Sequence, residues 1–342
     1  MNIKKIYVLL AILGICILST GCKEDSEEDL KETSREVFAM DTYMTLKAYG
    51  ADGEEALDEA IEEIQRLDAL WSVENTESEI AKLNQKKTEK VSKETIQLIQ
   101  CAKKVSKETK GAFDITIYPL MELWGFPSQN YQVPSEAEIK EILDSNIGMD
   151  KVMVDEKNQE ITLKDEAQID LGGIAKGYTS EQVARILKQH DIEHGVISLG
   201  GNVQAIGKKI DGSRWKVGIQ PPKDDMEMIG TYEACNEAVI TSGGYERYFE
   251  EDGKTYHHIL DPDTGKPSDQ DLISVTVISE DGMLADCLST TLFVMGKEKA
   301  EEYWKSNREK FQMILIDEDE KIYITEGMRD YFSSDYEYSI IE

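Results

Sequence analysis

From residue 151 to residue 325 the chain is a succession of short apolar runs parted by polar turns, with no regular strand–helix–strand rhythm. Runs at 152–154 and 161–163 flank a polar turn and read as a hairpin. The segment IDLGGIAKGY (169–178) leads into a helix through Val183, Ile186 and Leu187, and the apolar strand of GVISLGGN follows it. Further strands are expected at 215–219, 238–241, 273–278, 313–316 and 322–325. A doubly wound parallel sheet requires alternating strands and helices, so this pattern predicts an α+β architecture.

The half before it is more helical. Alternation over 37–49 suggests a strand, after which Ala56, Leu57, Ala60, Ile61, Ile64, Leu67 and Trp71 recur at helical spacing and form a core-facing stripe. A second helix starts at Ser92 as N-cap, turns Ile96, Ile99, Ala102 and Val105 inward, and stops at Gly111. A third opens at Ser135, with Glu138 three residues on in the form of a capping box. No internal repeat is present.

At the N-terminus Lys4 and Lys5 precede an apolar run at 6–18 that is short for a bilayer span and reads as a secretory signal. It ends in LSTGC, where the Gly–Cys step suits acylation of Cys22 and cleavage just before it. Ser19 stands where an aliphatic residue is more usual, and uncleaved anchoring or plain secretion are the alternatives. The expectation is a signal peptide at 1–21, a lipidated Cys22 with a charged tether to residue 36, and one domain over 37–342, anchored at the extracytoplasmic face of the cell membrane.

Removing residues 1–21 takes two lysines and no acid, which lowers the net charge from −30 to −32. Such a chain repels nucleic acid and anionic lipid, so no nucleic-acid partner is expected. It still accepts a phosphate ligand where a divalent cation or backbone N–H groups supply positive potential. Beyond Cys16 and Cys22, only Cys101, Cys235 and Cys287 remain, widely spaced, which gives neither a disulfide framework nor a zinc pattern. The hydrophobic core alone must hold the fold.

Four segments combine Gly, carboxylate and hydroxyl groups in ways that packing does not require. In GAFDIT (111–116), Gly111 ends a helix, and Asp114 within an apolar stretch needs hydrogen bonds if buried; a structural role accounts for it. In IDLGGIAKGY, paired glycines before a helix offer free N–H groups to a pyrophosphate, with Lys176 in the first turn and Asp170 available for a ribose or ring edge; a tight turn explains the glycines equally well. In HHILDPDTGKP (257–267), neighbouring histidines of an extended segment face opposite ways, so one alone points into a given site and is suited to act as general base; DPDTG also reads as an ordinary turn. In LADCLSTTL (284–292), a helix would bring Asp286, Ser289 and Thr290 onto one face as hard oxygen donors that suit Mg²⁺; an exposed Asp with Thr bonded to its own helix is the alternative.

In their order and spacing, FAMDTYM, GAFDIT with LWGF, IDLGGIAKGY, ISLGGNV, TSGGYERYF, HHILDPDTGKP and ADCLSTT resemble the ApbE family of FAD:protein FMN transferases, from about residue 38 to about residue 324. The resemblance implies that Met40, Ala112, Phe113, Asp114, Asp170, Lys176 and Ile259 contact FAD. It implies that the main-chain oxygen of Gly173 together with Asp286 and Thr290 holds Mg²⁺, with Ser289 nearby, and that His258 activates an acceptor hydroxyl. Position 289 is often Asp in that family, so Ser289 removes a charge; position 173 is Thr or Ala in some members, a change that a carbonyl ligand tolerates. The implied partners are FAD and an exported or membrane flavoprotein bearing Thr or Ser in a short target motif. Rival readings are an FAD pyrophosphatase using the same site, and a flavin- or solute-binding lipoprotein that turns nothing over; a two-lobed solute carrier would need a hinge and no metal.

Overall fold

The computed structural model describes residues 31–220 and 228–342. Cys22, the signal segment 1–21 and the start of the tether lie outside the described residues. The chain opens with β1 (Glu32–Ala39), β2 (Thr42–Tyr49), α1 (Gly53–Trp71), α2 (Glu79–Lys86), β3 (Thr88–Lys90) and α3 (Lys93–Glu108). A 3-10 turn at Ile115–Ile117 leads to α4 (Tyr118–Trp124), α5 (Glu136–Ser145), β4 (Val152–Asp155), β5 (Glu160–Leu163) and α6 (Ala175–Gln189). Next come β6 (His194–Leu199), β7 (Asn202–Ile206), β8 (Trp215–Ile219), β9 (Gly230–Ala234), β10 (Ala238–Gly243), β11 (Tyr248–Glu251), β12 (Lys254–His257) and β13 (Leu272–Ser279). The last elements are α7 (Gly282–Met295), α8 (Lys297–Lys305), β14 (Gln312–Asp317), β15 (Ile322–Thr325), β16 (Phe332–Ser333) and β17 (Tyr338–Ile341).

The framework is a nine-stranded sheet in the order β1-β2-β6-β7-β10-β13-β14-β15-β17, antiparallel throughout except for the parallel pair β15–β17. Its central strands are covered on both faces, and β14 shows how. Met313 and Leu315 join the core formed with Leu288 and Leu292 of α7, whereas Ile314 and Ile316 join Trp215, Val217 and Tyr232 of the small β16-β9-β8 sheet. Neighbouring side chains of a strand point to opposite faces, so a strand covered twice reads as an unbroken apolar run. The α+β expectation holds.

Two sequence readings change. The single strand expected over 37–49 is a tight hairpin, with Met40 and Asp41 both in the left-handed region at φ 48° and 58°. Such a turn normally carries Asn-Gly or Asp-Gly, and Met-Asp gives no signal for it. The strand also begins earlier, so residues 32–36, read as tether, belong to β1. Its polar residues face solvent along the sheet edge while Thr33 is buried, 3.1 Å from where a Cβ on Gly53 would lie. The helix caps at Ser92 and Ser135 are present, the latter as a complete capping box. Cys101, Cys235 and Cys287 are free thiols.

A separate apolar cluster holds the 257–267 loop in place. Leu120, Trp124 and Phe126 pack with Ile139, Phe249 and Leu260, and Trp124 Nε1 donates to the Gly265 carbonyl at 2.9 Å. Gly265 is left-handed, φ 68°, and a Cβ there would meet Ile139 at 2.6 Å. Thus α4 and α5 fix the position of the histidines at the start of the loop.

Candidate active site

The site is built at the crossing of α6 and α7, where Gly177 makes the approach possible. A Cβ on Gly177 would stand 2.2 Å from the Gly282 carbonyl and 2.6 Å from Asp286 Cβ, so only glycine fits. The close approach lets the Gly177 N–H donate to Asp286 Oδ2 at 2.7 Å. A buried carboxylate, 5% exposed, is thereby seated on the first turn of α6. Burial pushes the Asp286 carboxyl up from its ordinary value, while the Lys176 ammonium and the Gly177 N–H pull it back. The Asn202 amide also favours the anion, although its buried Nδ2 closes no hydrogen bond of ordinary geometry.

Around this junction lies a cavity of about 700 Å³. It runs between the β1–β2 turn, the end of α1, segments 112–118 and 170–176, the end of β10 and the chain after β12. Met40, Ala112, Phe113, Asp114, Asp170, Gly173, Lys176, His258, Ile259, Asp286 and Thr290 all line it. Segments separated by up to 250 positions in sequence therefore converge on one space, as the motif order implies.

Ser289 does not line it. Its side chain is fully buried; its Oγ donates to the Asp286 carbonyl at 2.8 Å and lies 2.8 Å from Ser242 Oγ. Helical spacing puts Ser289 and Thr290 about 100° apart, and here that rotation turns Ser289 toward β10. Ser242 takes the wall position instead, 3.2 Å from Thr290 Oγ1. The TSGGYERYF segment supplies it, together with Glu246 and Arg247.

Two of the residues expected to contact FAD are held by hydrogen bonds of their own. Asp114 is buried but satisfied, since its Oδ1 accepts from Thr116 N at 2.8 Å and from Thr116 Oγ1 at 2.6 Å. Asp170 Oδ1 accepts from Gly172 N at 2.9 Å, and its own N–H donates to the Ile115 carbonyl. Just before it, the buried Asn84 side chain of α2 donates to the Ile169 carbonyl at 2.9 Å and accepts from Ile169 N at 2.7 Å. A helix absent from the sequence reading thus positions a predicted ligand residue. Gly173 leaves room for Phe113, whose ring edge would be 3.2 Å from a Cβ at that position.

The two histidines part as extended neighbours must. His257 turns away from the cavity and bonds through Nε2 to the Ser268 carbonyl at 3.0 Å. His258 lines the cavity, with Nδ1 3.2 Å from the Arg247 carbonyl. A carbonyl only accepts, so Nδ1 carries the proton and Nε2 is left as the basic nitrogen. Burial first, then the positive charge of Arg247, pushes the ring down to about 3, which keeps it neutral near pH 7.

Among the described residues no group of three or more His, Cys, Asp or Glu side chains gathers as a metal cage. At the α6–α7 junction the wall offers the buried Asp286 carboxylate, the hydroxyls of Thr290 and Ser242, and the Gly173 segment. A donor set of one carboxylate and neutral oxygens fits Mg²⁺, a cation that keeps water and takes phosphate oxygens from its substrate.

The sequence profile of the ApbE family matches residues 40–315. The chain belongs to this family. It is 35% identical over 320 residues to an FAD:protein FMN transferase of Klebsiella pneumoniae, which spans 92% of this chain and 98% of that protein. It is 30% identical over 314 residues to the FAD:protein FMN transferase of Escherichia coli K12, spanning 86% and 89%. The crystal structure of an ApbE protein from Thermotoga maritima superposes with a TM-score of 0.82 at 34% identity, over 88% of this chain and 99% of that one. The flavin transferase ApbE from Vibrio cholerae gives 0.79 at 28% identity, with the same coverage. This ApbE-family chain shares their mixed α+β domain.

Proposed function

We propose that this chain is an FAD:protein FMN transferase that moves the FMN half of FAD onto a Thr or Ser hydroxyl of another protein and releases AMP. The observation that carries the reading is the convergence of His258, Asp170, Lys176, Asp286 and Thr290 on one cavity in a chain whose relatives bear that name. Met40, Ala112, Phe113 and Ile259 form the less polar part of the wall suited to a flavin or adenine ring, and Asp114 stands beside them.

The chemistry follows from groups already placed. The acceptor hydroxyl gives its proton to His258 Nε2 and its oxygen attacks the FMN-side phosphorus. A new phosphoester P–O bond forms, the bridging P–O bond breaks, and AMP leaves with the electron pair. Lys176 faces the pyrophosphate, whereas the first-turn N–H groups of α6 expected to serve it are already spent, Ala175 on the Leu171 carbonyl and Gly177 on Asp286. Asp286, Thr290 and the Gly173 carbonyl would hold Mg²⁺, which supplies positive charge to the phosphates. His258 is neutral and needs to lose no proton first, but burial and Arg247 make it a weak base, which the negative phosphates of bound FAD would strengthen. Most of the rate then comes from positioning and charge.

The lipid anchor at Cys22 belongs to the same proposal: it would hold the domain at the extracytoplasmic face of the membrane, where exported or membrane flavoproteins with a Thr or Ser target motif are the acceptors. The test is incubation with FAD, Mg²⁺ and an acceptor peptide bearing such a motif, followed by mass spectrometry. A covalent FMN adduct that requires Mg²⁺ and is lost in Asp286→Asn supports the reading. AMP and free FMN with no adduct would instead identify a pyrophosphatase, and unchanged FAD a binding protein.

A further inference from the structure

The TSGGYERYF segment brings to the cavity a cation that the transfer chemistry above leaves unused. Seven carboxylates line this space, those of Asp41, Asp68, Glu74, Asp114, Asp170, Glu246 and Asp286. Against them stand two permanent cations, Lys176 and Arg247. A doubly charged pyrophosphate entering here depends on both. The ammonium of Lys176 already acts on Asp286 and Glu246.

Arg247 is less engaged. Its guanidinium meets Asp41 at 3.6 Å, a distance beyond hydrogen bonding, and it makes no hydrogen bond to any other side chain among the described residues. Both partners are solvent-exposed at the cavity mouth, the arginine by half. A guanidinium has five N–H donors in a planar fork that matches phosphate oxygens in pairs, so this one is held close to the cavity with its donors unspent. Its charge reaches inward: it favours the Asp170 anion and disfavours the protonated His258. The main-chain carbonyl of the same residue holds His258 Nδ1, so anion-binding group and proton acceptor are mounted on one residue. Asp41 sits in the left-handed β1–β2 turn, which fixes it opposite.

We infer that Arg247 is a phosphate-positioning residue of this cavity and that Asp41 is its resting counter-ion, exchanged for the pyrophosphate when FAD binds. The inference rests on the FAD-transferase reading. It predicts effects of opposite sign at the two ends of the ion pair. Arg247→Ala removes an attractive charge and weakens FAD binding roughly 10-fold or more, while riboflavin, which has no phosphate, binds as before. Asp41→Asn removes the competitor and a repelling charge, so FAD binds a few-fold tighter. A merely structural ion pair would make both substitutions weaken binding, and would lower riboflavin affinity as well.

The experiment is fluorescence titration of FAD and riboflavin into the wild-type protein, Arg247→Ala, Arg247→Lys and Asp41→Asn, in the absence of acceptor so that no turnover enters. Loss of FAD but not riboflavin affinity in Arg247→Ala, partial recovery in Arg247→Lys, and a gain in Asp41→Asn support the assignment. An unchanged FAD-to-riboflavin affinity ratio in Arg247→Ala, or changes of the same sign in Arg247→Ala and Asp41→Asn, overturns it while the transferase reading stands. Failure of the wild-type protein to bind FAD overturns the transferase reading and the assignment together.

Discussion

Adding one methyl group at Gly177 tests how the cavity is assembled. The Cβ of Gly177→Ala would lie 2.2 Å from the Gly282 carbonyl and 2.6 Å from Asp286 Cβ, where ordinary contact begins at 3.4 Å. Both neighbours belong to α7 rather than to a flexible side-chain end, so the two helices must separate by about 1 Å. Overpacking of this kind costs ~1–3 kcal/mol. The same displacement stretches the 2.7 Å bond from Gly177 N–H to the Asp286 carboxylate, for which ~1.5–3 kcal/mol is typical. Alanine returns about 1 kcal/mol in helix propensity. The net loss is about 2–5 kcal/mol, read by calorimetry as a fall of ~3–8 °C in Tm, and activity should fall further because Asp286 moves. Gly282→Ala is the internal comparison. Its nearest contact is 3.0 Å, to the Gly177 carbonyl, and the next are side-chain atoms at 3.3 Å, so it should lose about 1 kcal/mol. Equal stability of Gly177→Ala and wild type, or a larger loss in Gly282→Ala, would show that the α6–α7 crossing does not depend on Gly177.

Asn84→Ala leaves both backbone groups of the fully buried Ile169 unpaired, costing about 2–5 kcal/mol in denaturant unfolding; because Asp170 follows directly, the FAD KM should rise more than kcat falls. Glu181 accepts from Met283 N at 3.1 Å, and burial, with Asp281 beside it, pushes its carboxyl up to about 7. A folded-state value above the ordinary 4.5 means that this group's contribution is full below about 4.5 and is lost as pH rises through about 7. The Tm of Glu181→Gln should therefore change less with pH than that of wild type across that window. Chelation by EDTA should abolish transfer and Mg²⁺ should restore it, whereas Asp286→Asn should stay inactive at any Mg²⁺ concentration, measured by AMP release.

How much of this could be read from the chain depends on whether the deciding contact is local. The caps at Ser92 and Ser135, the β4–β5 hairpin and strands β10, β13, β14 and β15 of the main sheet follow period and punctuation, and each appears within a residue or two of its expected place. The opposite facing of His257 and His258 follows from strand geometry alone. The Met40–Asp41 turn did not show because it lacks the glycine that usually marks such turns and places Met at positive φ. Helix α2 is too short and polar to announce itself, and its role lies in one long-range pair, Asn84 with Ile169. Ser289 misled because a helix face is broad: of the two adjacent hydroxyls Thr290 reaches the cavity while Ser289 is buried against Ser242, which fills the remaining place.

The central claim, transfer of the FMN half of FAD to an acceptor hydroxyl, is tested most directly by following each phosphate. FAD labelled on the riboflavin-side phosphate and FAD labelled on the adenosine-side phosphate are incubated separately with the protein, Mg²⁺ and acceptor. With transfer of FMN, the first label becomes bound to the acceptor and the second appears as AMP. Adenosine-side label on the acceptor, or both labels recovered only as free nucleotides while acceptor is present, would contradict it.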